Sequence, residues 1–113
     1  EYIGGIIAPG LETAVQSLHR VAAKLPQVDL RFPDQLIGTS TETSIQAGLM
    51  FGGADMVEGI ITRLKRELGS NTTVITTGGL AEVLLPHLPS VDRNEPYLTL
   101  DGLYFIYQDN VAD

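Results

Sequence analysis

The stretch Gly38–Gly69 reads GTSTETSIQAGLMFGGADMVEGIITRLKRELG, and the fold follows from how it is interpreted. It opens on two overlapping capping signals. Thr39 with Glu42 three residues later forms a capping box, and Thr41 is placed to cap the same turn one register on. Apolar residues then recur at helical spacing, in one row of Ile45, Leu49, Met56 and Ile60 and a second of Val57, Ile61, Leu64 and Leu68. Gly69 is placed to stop the helix in a left-handed conformation, and Lys65 and Arg66 suit the negative end of its dipole. A single helix here has about 27 residues and is roughly 40 Å long. Gly48, Gly52, Gly53 and Gly59 lie inside it, each costing about 1 kcal/mol relative to alanine. The glycines admit two readings: a break near Gly52-Gly53, or one central helix whose small-residue face, with Gly48 and Gly52 four apart, accepts a close partner such as a second subunit. The second is preferred.

Working outward, the totals set bounds. A chain of 113 residues is one domain's worth and long enough to bury a core without staples. It has no cysteine, hence neither disulfides nor thiolate metal sites, in agreement with a reducing, cytoplasmic setting. The net charge is −7, and the one basic cluster, Arg63-Leu64-Lys65-Arg66, reads as a helix end. Nucleic acid and anionic membranes are therefore poor partners. No apolar run approaches the ~20 residues of a membrane helix. The chain starts at Glu1 rather than Met, with an apparent strand under way by residue 2, so a fragment of a longer protein is expected.

Residues 2–8, YIGGIIA, read as a strand with a glycine pair, ended by Pro9-Gly10. Leu11, Ala14, Val15, Leu18, Val21, Ala22 and Leu25 then form an amphipathic helical stripe closed by Pro26, with His19 on its solvated side. Residues 26–37 are an extended connection in which Val28, Leu30 and Phe32 alternate, as in a short edge strand. Beyond the central helix, Asn71–Thr77 (NTTVITT) reads as a strand, and Gly78-Gly79 leads into a helix from Leu80 to Leu85 that Pro86 interrupts. His87 sits in a loop with no second ligand at metal-binding spacing, and residues 90–96 form a polar loop. The final segment, YLTLDGLYFIYQDN, has strand propensity, but Leu100, Leu103, Ile106 and Tyr107 suit a helix capped by Thr99, which is preferred. The sum is an α/β domain. Its two strand-to-glycine units, Gly4-Gly5 and Gly78-Gly79, would let backbone N–H groups approach a phosphate or ribose, although packing alone also explains glycine pairs. Neither is a dinucleotide fingerprint, and there is no P-loop.

Four motifs in fixed order carry a resemblance. They are Gly4-Gly5-x-Ile7-x-Pro9-Gly10; Gly38-x-x-Thr41 followed by Ile45 and Gly48; Thr77-Gly78-Gly79; and Leu98-Thr99-Leu100-x-Gly102-Leu103. Together, from Tyr2 to about Asn110, they resemble the carboxy-terminal half of type III pantothenate kinase, in the superfamily of sugar kinases, actin and chaperone ATPases. The resemblance implies that residues 1–113 are the carboxy-terminal domain of a two-domain kinase, the lobe of an actin-like (ribonuclease H-like) ATPase fold with a long central helix. It implies transfer of the ATP γ-phosphoryl to pantothenate, the first step of coenzyme A biosynthesis, with Mg²⁺ and a monovalent cation (K⁺ or NH₄⁺). It also implies a cytoplasmic homodimer joined through the Gly38–Gly69 helix. Thr41 matches the family threonine that hydrogen-bonds pantothenate, although a threonine there also serves as a plain N-cap. Thr77, Gly78 and Gly79 match the segment on the adenosine side of the ATP cleft, and Gly4 and Gly5 lie on its wall.

The family's Asp-x-Gly-Asn-Thr and Gly-Ala-Asp-Arg segments are not in these residues, since Gly53-Ala54-Asp55 is followed by Met56 and lies in the helical stretch. No catalytic or metal-binding residue is therefore assigned, and the fragment alone is expected to be inactive. Two alternatives stand beside the kinase: a non-enzymatic regulatory or accessory homologue acting as a dimeric binding module, and a superfamily kinase with a different acceptor.

Overall fold

The computed structural model describes residues 1–22 and 25–111. The chain divides into two compact units, Glu1–Met56 and Val57–Asp113, with the boundary inside the long central helix.

In the first unit, residues 1–10 are exposed and form no strand, contrary to the reading of residues 2–8. A strand needs a neighbour to take its N–H and C=O groups, and among the described residues these have none. Pro9-Gly10 does start a helix. Helix α1 is Leu11–Val21, with Ala14 N–H donating to the Gly10 carbonyl at 3.0 Å. It ends at Ala22, which has left helical geometry (φ −126°, ψ 73°), four residues short of Pro26. Ala23 and Lys24 lie outside the described residues. Of the apolar stripe only Leu11 is fully buried; Val21 is exposed. His19 is exposed, as its position on the polar side requires.

The connection after α1 contains no edge strand. Val28, Leu30 and Phe32 do turn inward together, each half-buried, but as side chains packed under a loop. Phe32 meets Phe51 edge-on, with ring centroids 5.2 Å apart. The buried Gln46 side chain donates from Nε2 to the Asp29 carbonyl at 3.1 Å. This bond satisfies a backbone acceptor that no ladder takes up.

Helix α2, Thr41–Leu68, is one uninterrupted element of 28 residues, so the break at Gly52-Gly53 does not occur. Its best-buried positions are Gln46, Ala47, Leu49, Met50, Ala54 and Ile61. They extend the row of Val57, Ile61, Leu64 and Leu68 backwards through Ala54, Met50 and Ala47 at alternating three- and four-residue steps. Of the other expected row Leu49 is buried, whereas Met56 is exposed and Ile45 and Ile60 are half-buried. The helix stops at Gly69, whose φ is +113° and whose N–H donates to the Lys65 carbonyl.

In the second unit, strand β1 is only Ile75–Thr76, shorter than the Asn71–Thr77 expected. Its neighbour falls inside the segment read as a polar loop. Strand β2, Arg93–Asn94, pairs with it in parallel, Ile75 opposite Arg93 and Thr76 opposite Asn94. Pro96, which has no N–H, comes two residues after β2 and limits the ladder. Side chains complete what the short ladder leaves open. Asp92 Oδ2 accepts from Val74 N–H at 2.7 Å, and Thr76 Oγ1 donates to Asn94 Oδ1 at 3.0 Å. Helix α3, Gly79–Leu84, passes into a single 3₁₀ turn, Leu85–His87, where Pro86 interrupts the helix as anticipated. Ile61, Leu84 and Leu88 are the buried apolar side chains of this unit.

Helix α4, Leu98–Val111, confirms the helical reading of the final segment. It begins one residue before Thr99, so Thr99 lies in the first turn and is not the cap. Its apolar residues run consecutively from Leu103 to Tyr107 and are all exposed. Taken together the described residues form a mixed helix-and-strand domain, consistent with an α/β fold.

The loop after Leu88 is held by one carboxylate. Glu58 on α2 accepts from Ser90 N–H at 2.9 Å through Oε1 and from Ser90 Oγ at 2.6 Å through Oε2. Replacing Glu58 with alanine leaves both donors unpartnered in a partly buried setting. We expect Glu58→Ala to lose about 1–3 kcal/mol and Ser90→Ala to lose less. Urea unfolding of the two single variants and the double variant measures the coupling, and an unchanged midpoint for Glu58→Ala would show that this clamp contributes nothing.

Candidate functional site

The site is built around the entry to α2. Gly38 packs so closely under the first turn that a Cβ built on it would overlap the backbone N and Cα of Ser44. Any side chain there pushes the loop away from the helix. This close approach accounts for the glycine of the Gly38-x-x-Thr41 motif.

The helix is then capped in a register between the two that the sequence suggested. Ser40 is the residue before the first helical position, and its Oγ accepts from Thr43 N–H at 3.1 Å. Thr43 reaches back: its Oγ1 accepts from Thr39 N–H at 3.1 Å and from Ser40 N–H at 3.0 Å. The two hydroxyls are 2.9 Å apart, and Thr43 Oγ1 lies 3.2 Å from the Ser40 carbonyl, to which it can also donate. This is a capping box with threonine in the place usually taken by glutamate. Neither Thr39 with Glu42 nor Thr41 forms the cap. The missed signal was Ser-x-x-Thr at residues 40–43, hidden because a hydroxyl at the fourth position is a shorter arm than a carboxylate.

Thr41 is consequently spared. It occupies the first helical position, is exposed, and its hydroxyl makes no hydrogen bond among the described residues. It lines an open groove of about 1010 Å³ between α1 and the start of α2. Ala14, Ser17 and Leu18 form the α1 wall; Thr41, Ser44, Ile45 and Gly48 lie opposite. None of the described lining residues is ionisable. Gly38 and Thr39 also line a smaller pocket of about 270 Å³ on their far side, with Pro33, Asp34 and Thr43. The Gly38–Thr39 backbone is thus a thin wall between two openings.

Further along α2, Cβ atoms added at Gly48, Gly52 or Gly59 would meet nothing within 4 Å. The small-residue face lies open in this chain.

Of the remaining site residues expected from sequence, Gly4 and Gly5 belong to the exposed first segment and do not line the Thr41 groove. Thr77, Gly78 and Gly79 lie in the second unit at the junction of β1 with α3, and all three are exposed. Gly78 has φ +98° and ψ 157°, a backbone state that a side chain resists. A Cβ at Gly78 or Gly79 would meet open space, so it is conformation rather than crowding that calls for glycine at 78. Among the described residues no group of three His, Asp or Glu side chains is arranged to hold a metal ion.

Comparison with known proteins places this arrangement in a family. A family model described as type III pantothenate kinase matches residues 1–63. A type III pantothenate kinase from Moorella thermoacetica is 48% identical over 110 residues, covering 97% of this chain and 43% of that protein. One from Roseiflexus castenholzii is also 48% identical over 110 residues, with the same coverage. One from Bacillus cytotoxicus is 40% identical over 109 residues, covering 96% of this chain and 42% of its own length. The chain therefore spans less than half the length of these relatives. With a match over more than half of the chain and these identities along nearly all of it, the chain belongs to the type III pantothenate kinase family.

Proposed function

We propose that these residues form the acceptor-binding part of an ATP-dependent pantothenate kinase, acting as the carboxy-terminal domain of a two-domain, actin-like enzyme. The observation that carries this reading is the Thr41 hydroxyl: exposed on an open groove, free of the cap beside it, in a chain whose relatives are named for pantothenate phosphorylation.

In the reaction, the terminal hydroxyl of pantothenate attacks the γ-phosphorus of ATP. A new P–O bond forms as the bond to the β-phosphate oxygen breaks, and the products are 4′-phosphopantothenate and ADP. Phosphoryl transfer asks a protein chiefly for alignment and charge stabilisation. The groove supplies alignment. Thr41 donates to or accepts from a polar group of pantothenate, while Ile45, Leu18 and Ala14 give its uncharged body an apolar wall. Thr77, Gly78 and Gly79 offer exposed backbone without obstructing side chains to the adenosine side of the nucleotide.

The proton of the attacking hydroxyl passes to a base outside these residues. Mg²⁺ and a monovalent cation, K⁺ or NH₄⁺, do not fit any side-chain cluster described here. We assign their ligands to the remaining length of the kinase and route no step through them. Dimerisation through α2 is supported by the open face at Gly48, Gly52 and Gly59. No helix among the described residues is long and apolar enough to cross a membrane. A cytoplasmic location fits the chemistry of coenzyme A biosynthesis.

Three expectations follow from this reading. In a full-length kinase carrying this sequence, Thr41→Ala removes one hydrogen bond to the acceptor. Its pantothenate KM should rise about tenfold with the ATP KM nearly unchanged, and unaltered pantothenate kinetics would count against the assigned role. Gly78→Ala forces a side chain into a positive-φ turn. Steady-state assays should show the reverse selectivity, a raised ATP KM with acceptor binding kept. Residues 1–113 alone, incubated with ATP, Mg²⁺, K⁺ and pantothenate, should form no 4′-phosphopantothenate, and product formation would show that the catalytic base lies within them.

A further inference from the structure

We infer that the Thr43 hydroxyl is a positioning device that selects one of two capping registers and thereby keeps Thr41 available to substrate. The inference rests on the acceptor-binding role proposed for Thr41.

The entry to α2 contains five hydroxyl residues in six positions, Thr39, Ser40, Thr41, Thr43 and Ser44. Serine and threonine side chains compete for free backbone N–H groups at a helix start. Two solutions are open. In the first, Ser40 caps and its Oγ takes Thr43 N–H. In the second, the helix starts one residue later, Thr41 caps, and its Oγ takes Ser44 N–H. The second solution turns the Thr41 hydroxyl from the groove onto its own backbone.

The structure adopts the first, and two features enforce it. Thr43 Oγ1 accepts from both Thr39 N–H and Ser40 N–H, two bonds that exist only while Ser40 is the cap. Ser44 N–H is already committed to the Ser40 carbonyl at 2.9 Å, with Gly38 packed directly against it. A capping hydroxyl from Thr41 has to displace that bond. Thr43 does not itself line the groove, and its side chain meets the wall through Thr39 and Ser40. It acts through the register.

The test uses the full-length kinase and separates this inference from the reading beneath it. Thr43→Val keeps shape and removes both accepted bonds. It should raise the pantothenate KM about fivefold, with kcat and the ATP KM changed less than twofold. Thr43→Ser retains the hydroxyl and should restore the parent value. Because Thr43→Val already withdraws Thr41, adding Thr41→Ala should raise KM little further, so the two effects are not additive. Glu58→Ala, destabilised elsewhere in the chain, should leave the pantothenate KM unchanged.

Ser40→Ala removes the cap from the other side and gives the same readout if Thr43→Val does not fold. If Thr41→Ala raises KM but Thr43→Val does not, or if the two add fully, the register inference falls and the role of Thr41 stands. If the pantothenate KM rises equally in Glu58→Ala, the effect of Thr43 is one of general stability and the inference is overturned. If Thr41→Ala has no effect, both fall.

Discussion

The continuity of α2 across Gly48, Gly52, Gly53 and Gly59 is the constraint on which the rest of the structure depends. Four interior glycines oppose the helix by about 1 kcal/mol each relative to alanine. Burial offsets this. Leu49, Met50 and Ile61 are almost wholly buried, and side chains of this size contribute about 1.5–3 kcal/mol each when removed from water. The helix is therefore held by its packed face while its glycine face stays bare. At Gly48, Gly52 and Gly59 an added Cβ would meet nothing within 4 Å, so packing among the described residues does not call for glycine there.

Each unit has few buried apolar residues, and single polar contacts carry much of the definition of the loops. Gln46 fixes the connection after α1 at Asp29, Glu58 holds Ser90, and Asp92 holds Val74. All three are side chains bonded to backbone groups, the usual way of satisfying loops that no ladder satisfies. The cap at Ser40 and Thr43 belongs to the same class. Here the bonds that define a loop also decide which neighbouring hydroxyl stays free of the backbone.

The helices were legible because their signals are local. The 3.6-residue rhythm of α2, the Pro9-Gly10 entry to α1, the Pro86 interruption and the threefold and fourfold spacing in Leu98–Val111 all act within one element. What misled was of two kinds. Strands depend on neighbours that sequence does not name: YIGGIIA has strand composition but no ladder partner among the described residues, whereas Arg93-Asn94, without strand composition, pairs because Ile75-Thr76 lies beside it. The second kind was crowding of equivalent residues. With Thr39, Ser40, Thr41 and Thr43 all able to cap, rank order by residue type does not fix the register; the geometry of the reciprocal bonds does. Upstream of Val57 the core includes Leu49, as its place in the apolar row suggests, and also Gln46, Ala47 and Ala54, whose residue types do not read as core positions. In the site itself, the Thr41 groove could be anticipated only through resemblance, because no spacing rule ties the α1 wall to the start of α2.

The distribution of charge bears on how the work of phosphoryl transfer is divided. The chain carries a net charge of −7, and the described residues that line the groove beside Thr41 are hydroxyls, glycine and apolar side chains, none of them ionisable. Such a surface does little to stabilise the charge that develops on a transferring phosphoryl group, the larger part of catalysis in this reaction class. It is suited to hydrogen bonding and apolar contact rather than to charge pairing. Among the described residues the chain thus offers a hydrogen-bonding groove without ionisable side chains, and no cluster of three His, Asp or Glu side chains arranged for a metal ion.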